Sequence, residues 1–283
     1  MNLNGRRKSS NVVDRRSVKG KAAGGIGIGA VVIAIVVALL GGDPSEVMQQ
    51  LSSTSTESST NYQPTEQEKA FEVFASQILA STEDVWTAVF KKMGRTYKAP
   101  TLVLFHGSVQ SGCGGATSST GPFYCSADEC LYLDLDFFDE MSKKMGAGGD
   151  FAHAYVIAHE VGHHVQHLLG TLDQAHAQMS RASEKERNNI SVRIELQADY
   201  YAGVWGHYES KLFGSLEPGD LEEALNAAQR IGDDYLQKQS RGYAVPDSFT
   251  HGTSAQRMRW LKKGLSTGDM NGGDTFSPRY GSL

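Results

Sequence analysis

A chain of 283 residues, 40% hydrophobic and 21% charged, is long enough for one or two ordinary domains. Its net charge is −5, and no basic stripe points to a nucleic acid partner. Six of the nine histidines (His153, His159, His163, His164, His167 and His176) fall in one short stretch, a first sign of a metal site.

Residues 1–21 are basic, with Arg6, Arg7, Lys8, Arg15, Arg16, Lys19 and Lys21 against one acid, Asp14. Residues 22–42 carry no charge and lead into a continuous apolar run from Ala30 to Leu40. Some twenty residues in a helix span about 30 Å, the hydrocarbon thickness of a bilayer. A transmembrane signal anchor is therefore predicted over 22–42. Residues 1–21 form its basic cytoplasmic tail, and the C-terminal bulk lies across the membrane. A cleaved signal peptide is the main alternative, although no Ala-x-Ala site is evident. A buried soluble helix is the other.

Residues 43–66, rich in Ser and Thr, read as a flexible linker. The folded domain is expected over 67–266, followed by a polar, Gly-rich tail over 267–283. Within the domain, Phe71, Phe74, Ile78 and Leu79 have helical spacing, as do Val85, Trp86, Val89 and Phe90. Residues 101–105 read as a strand, and residues 131–136 alternate as a half-buried one. Asp150 is placed to cap a helix that runs to Leu169 and stops at Gly170. Ser183 with Glu186 is a capping-box pattern opening a helix to about Tyr208. Leu221, Ala224, Leu225, Ala228, Ile231 and Tyr235 predict a third long helix, and Ser254 opens a short final one. The order is α+β.

The strongest motif is His159-Glu160-Val161-Gly162-His163 on the predicted helix. Four residues turn a helix by about 400°, so both imidazoles project from one face and can reach one zinc ion. Glu160, rotated by about 100°, can flank the metal as a base for bound water without ligating it. Such a motif also arises by chance, so a third ligand is required. Downstream, Glu195 and Asp199 share one face of the next helix. This Glu-x-x-x-Asp pattern resembles the gluzincin branch of zinc peptidases. The resemblance implies Glu195 as third ligand and Asp199 as the partner of His159 through its other ring nitrogen. Without it, the two acids read as a solvated helix face. The Gly and third His of the metzincin extension are absent at the required spacing.

His164 reads as a packing or polar contact, and His153 and His167 as surface or supporting positions. His176 and His207 carry no pattern. His251, in Thr250-His251-Gly252-Thr253-Ser254-Ala255-Gln256-Arg257, resembles the late His segment of membrane-linked gluzincins and is a candidate oxyanion donor. Tyr200 and Tyr201 compete for that role, and a capping turn is the plain alternative.

The wider pattern resembles the putative neutral zinc metallopeptidase family of bacterial membrane proteins. The residues that carry it are Ser9 to Arg16 and the apolar segment, Cys113-Gly114, Gly121-Pro122-Phe123-Tyr124-Cys125, His159 to Gln166, Glu195 to Gly203, and His251 to Ser254. The resemblance implies a zincin-like domain of minimal gluzincin type with one catalytic Zn2+. It also implies a peptide or protein substrate and a place in the bacterial inner membrane, with the domain outside the cytoplasm. Cys113 and Cys125 match family positions, which implies a disulfide in an oxidising exterior, worth about 3 kcal/mol by chain entropy. Cys130 is a departure and leaves the pairing open; in a reducing compartment all three are buried thiols. In zincins the strand corresponding to residues 131–136 is an edge strand above the metal that pairs with extended substrate. Two rival functions stand beside the peptidase: a catalytically silent zincin-like binding or scaffold protein, and a zinc amidase acting on cell-envelope material.

Overall fold

The structure is a computed structural model that describes residues 1–17 and 62–283. The predicted anchor over 22–42 and nearly all of the linker lie outside the described residues. Among the described residues, no helix is long and apolar enough to cross a membrane.

The chain runs β1 (Val12–Asp14), α1 (Glu66–Lys92), β2 (Thr101–Phe105), β3 (Ser108–Ser111), β4 (Gly114–Thr117), β5 (Phe123–Cys125) and β6 (Cys130–Asp134). It continues as α2 (Leu135–Lys143), α3 (Asp150–Leu169), α4 (Thr171–Met179), α5 (Glu184–Phe213), α6 (Asp220–Arg230), α7 (Asp233–Arg241) and α8 (Ser254–Thr267). The architecture is α+β, as the order of patterns predicts. Four strands form a sheet in the order β1-β2-β6-β5, with β1, β2 and β6 parallel and β5 antiparallel to β6. A separate hairpin joins β3 and β4.

Local chemistry explains where the elements differ from expectation. The two helical stretches before residue 92 are one helix, opened by a reciprocal Thr65–Glu68 capping box. The strand at residues 131–136 ends at Asp134, whose carboxylate accepts the Asp136 N–H at 3.1 Å and caps α2. Asp150 is the first residue of α3 rather than its cap. Gly149 takes the cap position, and the space left by its missing side chain admits Glu223, which accepts the Phe151 N–H at 3.0 Å. The expected helix from Leu221 to Tyr235 breaks at Gly232, where a Cβ would overlap the Ser254 backbone. The break turns Asp233 and Asp234 toward the start of α8.

The ordered unit is wider than 67–266 at both ends. Asn11 and Arg15 flank β1 and continue its pairing with β2: the Asn11 carbonyl accepts from Leu102 N and Arg15 N donates to the Leu104 carbonyl, each at 2.8 Å. The expected polar tail folds back on α5. Gln197 Nε2 donates to the Gly273 carbonyl at 2.8 Å, Arg193 holds the Phe276 and Pro278 carbonyls, and Leu283 is buried.

The core is set by three helices at close range. A Cβ on Gly162 of α3 would stand 2.8 Å from the Ala198 carbonyl oxygen of α5. Gly203 of α5 and Gly264 of α8 meet the same way, each admitting the partner helix's backbone. Replacing Gly203 by Ala is expected to cost about 1–3 kcal/mol or more, because backbone rather than flexible side chain must move. Gly281→Ala, with nothing within 4 Å of the new carbon, should leave the urea midpoint unchanged. Equal midpoints for both variants would contradict this account of the helix crossing.

Candidate metal centre

Helix α3 presents His159 and His163 to α5, where Glu195 and Asp199 face them. One ligand atom from each of His159, His163 and Glu195 lies within 4.8 Å of the other two. His159 Nε2 is 3.1 Å from Glu195 Oε2, and His163 Nε2 is 3.5 Å from Glu195 Oε1.

The outer ring nitrogens are both held. His159 Nδ1 lies 2.8 Å from Asp199 Oδ1, and a carboxylate only accepts, so Nδ1 carries the proton. His163 Nδ1 lies 2.9 Å from Gln166 Oε1. The Gln166 amide nitrogen donates to the Ile194 carbonyl and to Gln197 Oε1, at 2.8 and 3.0 Å. Its oxygen is therefore the atom left to accept from His163. Both Nε2 atoms thus face Glu195, the side on which each ring would offer its lone pair to a metal. Two imidazole nitrogens and one carboxylate suit a zinc ion.

Asp199 is fully buried and shared. It accepts from Tyr155 Oη at 2.6 Å and from Arg257 Nε and Nη2 at 2.8 and 2.9 Å. Burial works against its charge, but Arg257 and His159 outweigh that and lower its pKa to about 2. For His159, burial favours the neutral ring, while the charge and hydrogen bond of Asp199 and the hydrogen bond of Glu195 raise it to about 10. At His163 burial prevails, and the pKa falls to about 4. Burial pushes Glu195 up, yet His163, His251 and His159 hold it well below the usual carboxylate range.

Glu160 is buried beside this set, and burial drives its carboxyl up to about 7. It makes no hydrogen bond among the described residues. His251 is brought to the same side: its charge acts on both Glu195 and Glu160. Its turn is gripped by Asp233, whose Oδ2 accepts the N–H groups of Thr250, His251 and Gly252 at 2.7, 2.6 and 2.9 Å. Burial disfavours the charged His251 ring, but Glu195 and Asp233 raise its pKa.

The competing tyrosines are engaged elsewhere. Tyr200 Oη bonds the Asp269 carbonyl and Thr267, and the Tyr201 ring packs edge-on against Trp86. His164 bonds Tyr124 Oη at 2.9 Å and the Lys98 carbonyl at 2.7 Å, the polar contact expected of it. His153 sits among Phe71, Phe74 and Phe138. His167 pairs with Asp173, and His207 with the Leu265 carbonyl.

Cys113 and Cys125 form a disulfide, with Cα atoms 5.8 Å apart, and Cys130 is free. The strand carrying Leu131 is not the edge: β6 pairs on both sides, and the open edge beside it is β5, which ends at Cys125. Tyr124 on β5 reaches His164 of α3, which ties this edge to the helix bearing His159 and His163.

Gln166, Tyr155 and Arg257 are the supporting residues that residue-by-residue reading missed. Gln166 lies one helical turn after His163, a spacing that places it on the ligand face. Arg257 follows His251 closely but serves Asp199 on another element, and no local pattern encodes that.

The family described as putative neutral zinc metallopeptidase matches residues 1–276. The uncharacterized protein YpfJ of Escherichia coli (strain K12) is 50% identical over 286 residues, spanning 98% of this chain and 99% of that protein. The uncharacterized protein Rv2575 of Mycobacterium tuberculosis (strain ATCC 25618 / H37Rv) is 46% identical over 200 residues, 67% of each chain. No solved structure matches.

Removing the support of His159 should loosen zinc and destabilise the core together. Asp199→Asn and Arg257→Ala are expected to weaken zinc binding about 10- to 100-fold in competition with a chelator. Tyr200→Phe should leave it unchanged. Wild-type affinity in the Asp199 variant would mean that the Nδ1 bond does not orient the ligand.

Proposed function

Because the chain belongs to the putative neutral zinc metallopeptidase family, we propose that it hydrolyses peptide bonds with one zinc ion held by His159, His163 and Glu195 in a zincin-like fold. The observation that carries this is the pairing of two oriented Nε2 atoms and Glu195 with a buried Glu160 that has no hydrogen bond among the described residues. A ligand carboxylate is engaged by its imidazoles, whereas a base must keep its lone pairs for a proton.

Zinc in this site supplies Lewis acidity and a bound water of lowered pKa. Glu160 accepts the proton of the attacking water and delivers it to the departing amine. Its burial suits the task, since desolvation raises a carboxylate's affinity for a proton. His251, fixed by the Asp233 grip on its backbone, donates to the developing oxyanion. Asp199, Arg257 and Gln166 hold the ligand rings. An extended peptide adds to the open edge of β5, braced by Cys113–Cys125. The disulfide favours an oxidising compartment, and residues 22–42 attach the protein to a bacterial membrane.

The test uses the full chain in detergent with an unfolded protein as substrate, comparing wild type with Glu160→Gln at equal zinc content. Wild type should cleave, and the variant should lose cleavage by a factor of at least about 100 while keeping its metal. Equal cleavage by both would remove Glu160 from the mechanism. Zinc binding with no cleavage by either would favour the silent binding protein.

A further inference from the structure

The basic N-terminal segment is expected in the cytoplasm, with the domain on the far side of a single crossing. The contacts of residues 1–17 do not fit that arrangement. β1 is a full member of the sheet: Val12, Val13 and Asp14 stand opposite Leu102, Val103 and Leu104 of β2. Upstream, Ser9 N donates to the Ser76 carbonyl at 3.0 Å. Ser9 Oγ and Asn11 Nδ2 both donate to Glu83 Oε1, at 2.6 and 2.8 Å. Gln77 of α1 donates to the Leu3 and Arg6 carbonyls. A strand and a strap over α1 therefore hydrogen-bond to the domain the same backbone that a cytoplasmic tail would leave to the solvent.

The charges argue in the same direction. Here Arg6 pairs with Glu209 and lies over the Phe213 ring, and Arg7 pairs with Glu83 and Asp84. Arg16 is 1% exposed and bridges Asp14 and Glu72. Three arginines of the segment are thus matched by acids of the chain itself, and two of these partners, Glu83 and Glu209, are buried. Were residues 1–17 elsewhere, those two carboxylates would lose partners and the β2 edge would lose its ladder.

The two ends flanking residues 18–61 also meet. Arg16 reaches Glu72, and Tyr62 bonds Glu68, one turn earlier on α1. We propose that residues 1–17 share one compartment with residues 62–283 as a single folded unit, so that both flanks lie on one side of any membrane the protein attaches to. This stands apart from the peptidase reading, because it concerns neither metal nor substrate.

The experiment uses the full chain in bacterial cells, with Cys130→Ser as background and one reporter cysteine per variant. Lys8→Cys marks the N-terminal segment and Lys262→Cys marks α8; both side chains are exposed. A membrane-impermeant, mass-adding maleimide is applied before and after permeabilisation of the inner membrane, with denatured samples as the labelling maximum. The expected result is the same pattern at both positions, either both labelled before permeabilisation or both only after it. Labelling of one position before permeabilisation and of the other only after it would overturn the proposal. A purified-protein measurement guards against a perturbing reporter. Trypsin should cut after Arg16 at least tenfold more slowly in the folded wild type than in the Glu83→Lys variant. Equal rates would show that the segment is not docked.

Discussion

The site depends on one buried carboxylate. Asp199 has no exposure to water, and a charge in that position is tolerated only when its lone pairs are filled. They are filled from two other helices: Tyr155 and His159 come from α3, Arg257 from α8, and Asp199 itself from α5. The same four contacts that make the charge tolerable lock three helices in register and aim one imidazole. Taking away either basic partner leaves a stranded anion, so ligand geometry and core integrity share one cause.

That arrangement requires the helices to approach closely, and glycine makes it possible. Gly162 lies inside the metal motif, between Glu160 and His163, and lets α3 rest on the backbone of α5 at Ala198, next to Asp199. Gly203 and Gly264 do the same for α5 and α8 one turn further on. A second buried acid, Asp233, repeats the logic on a smaller scale. It collects three consecutive backbone N–H groups and so fixes where the His251 ring starts from. The position of His251 therefore rests on main-chain geometry more than on a rotamer.

Features whose determinants lie within one or two turns of chain were legible. The paired His159 and His163, the Ser183 and Glu186 box, and Gly170 as helix stop belong to that class. Glu195 and Asp199 became legible through a family pattern, because their partners sit on another element. What failed was decided by distant contacts. The break at Gly232 exists because Ser254 needs the space. The strand ending at Asp134 was masked by apolar alternation continuing into a helix start. The identity of the edge strand depended on pairing order, which periodicity does not carry. Both termini read as tails because they are basic or polar, yet both hydrogen-bond to the domain.

The closing of β2 by β1 has a consequence for solubility. Thr101–Phe105 is a five-residue strand whose last four residues are buried and apolar. With β1 in place, the sheet's two edge strands are β1 and β5, each only three residues long. Short edges give another sheet little to pair with. A chain shortened by its first seventeen residues would uncover the β2 edge, with a sequence suited to stacking on copies of itself. The N-terminal segment thus covers an edge that would otherwise be open to pairing with neighbouring molecules.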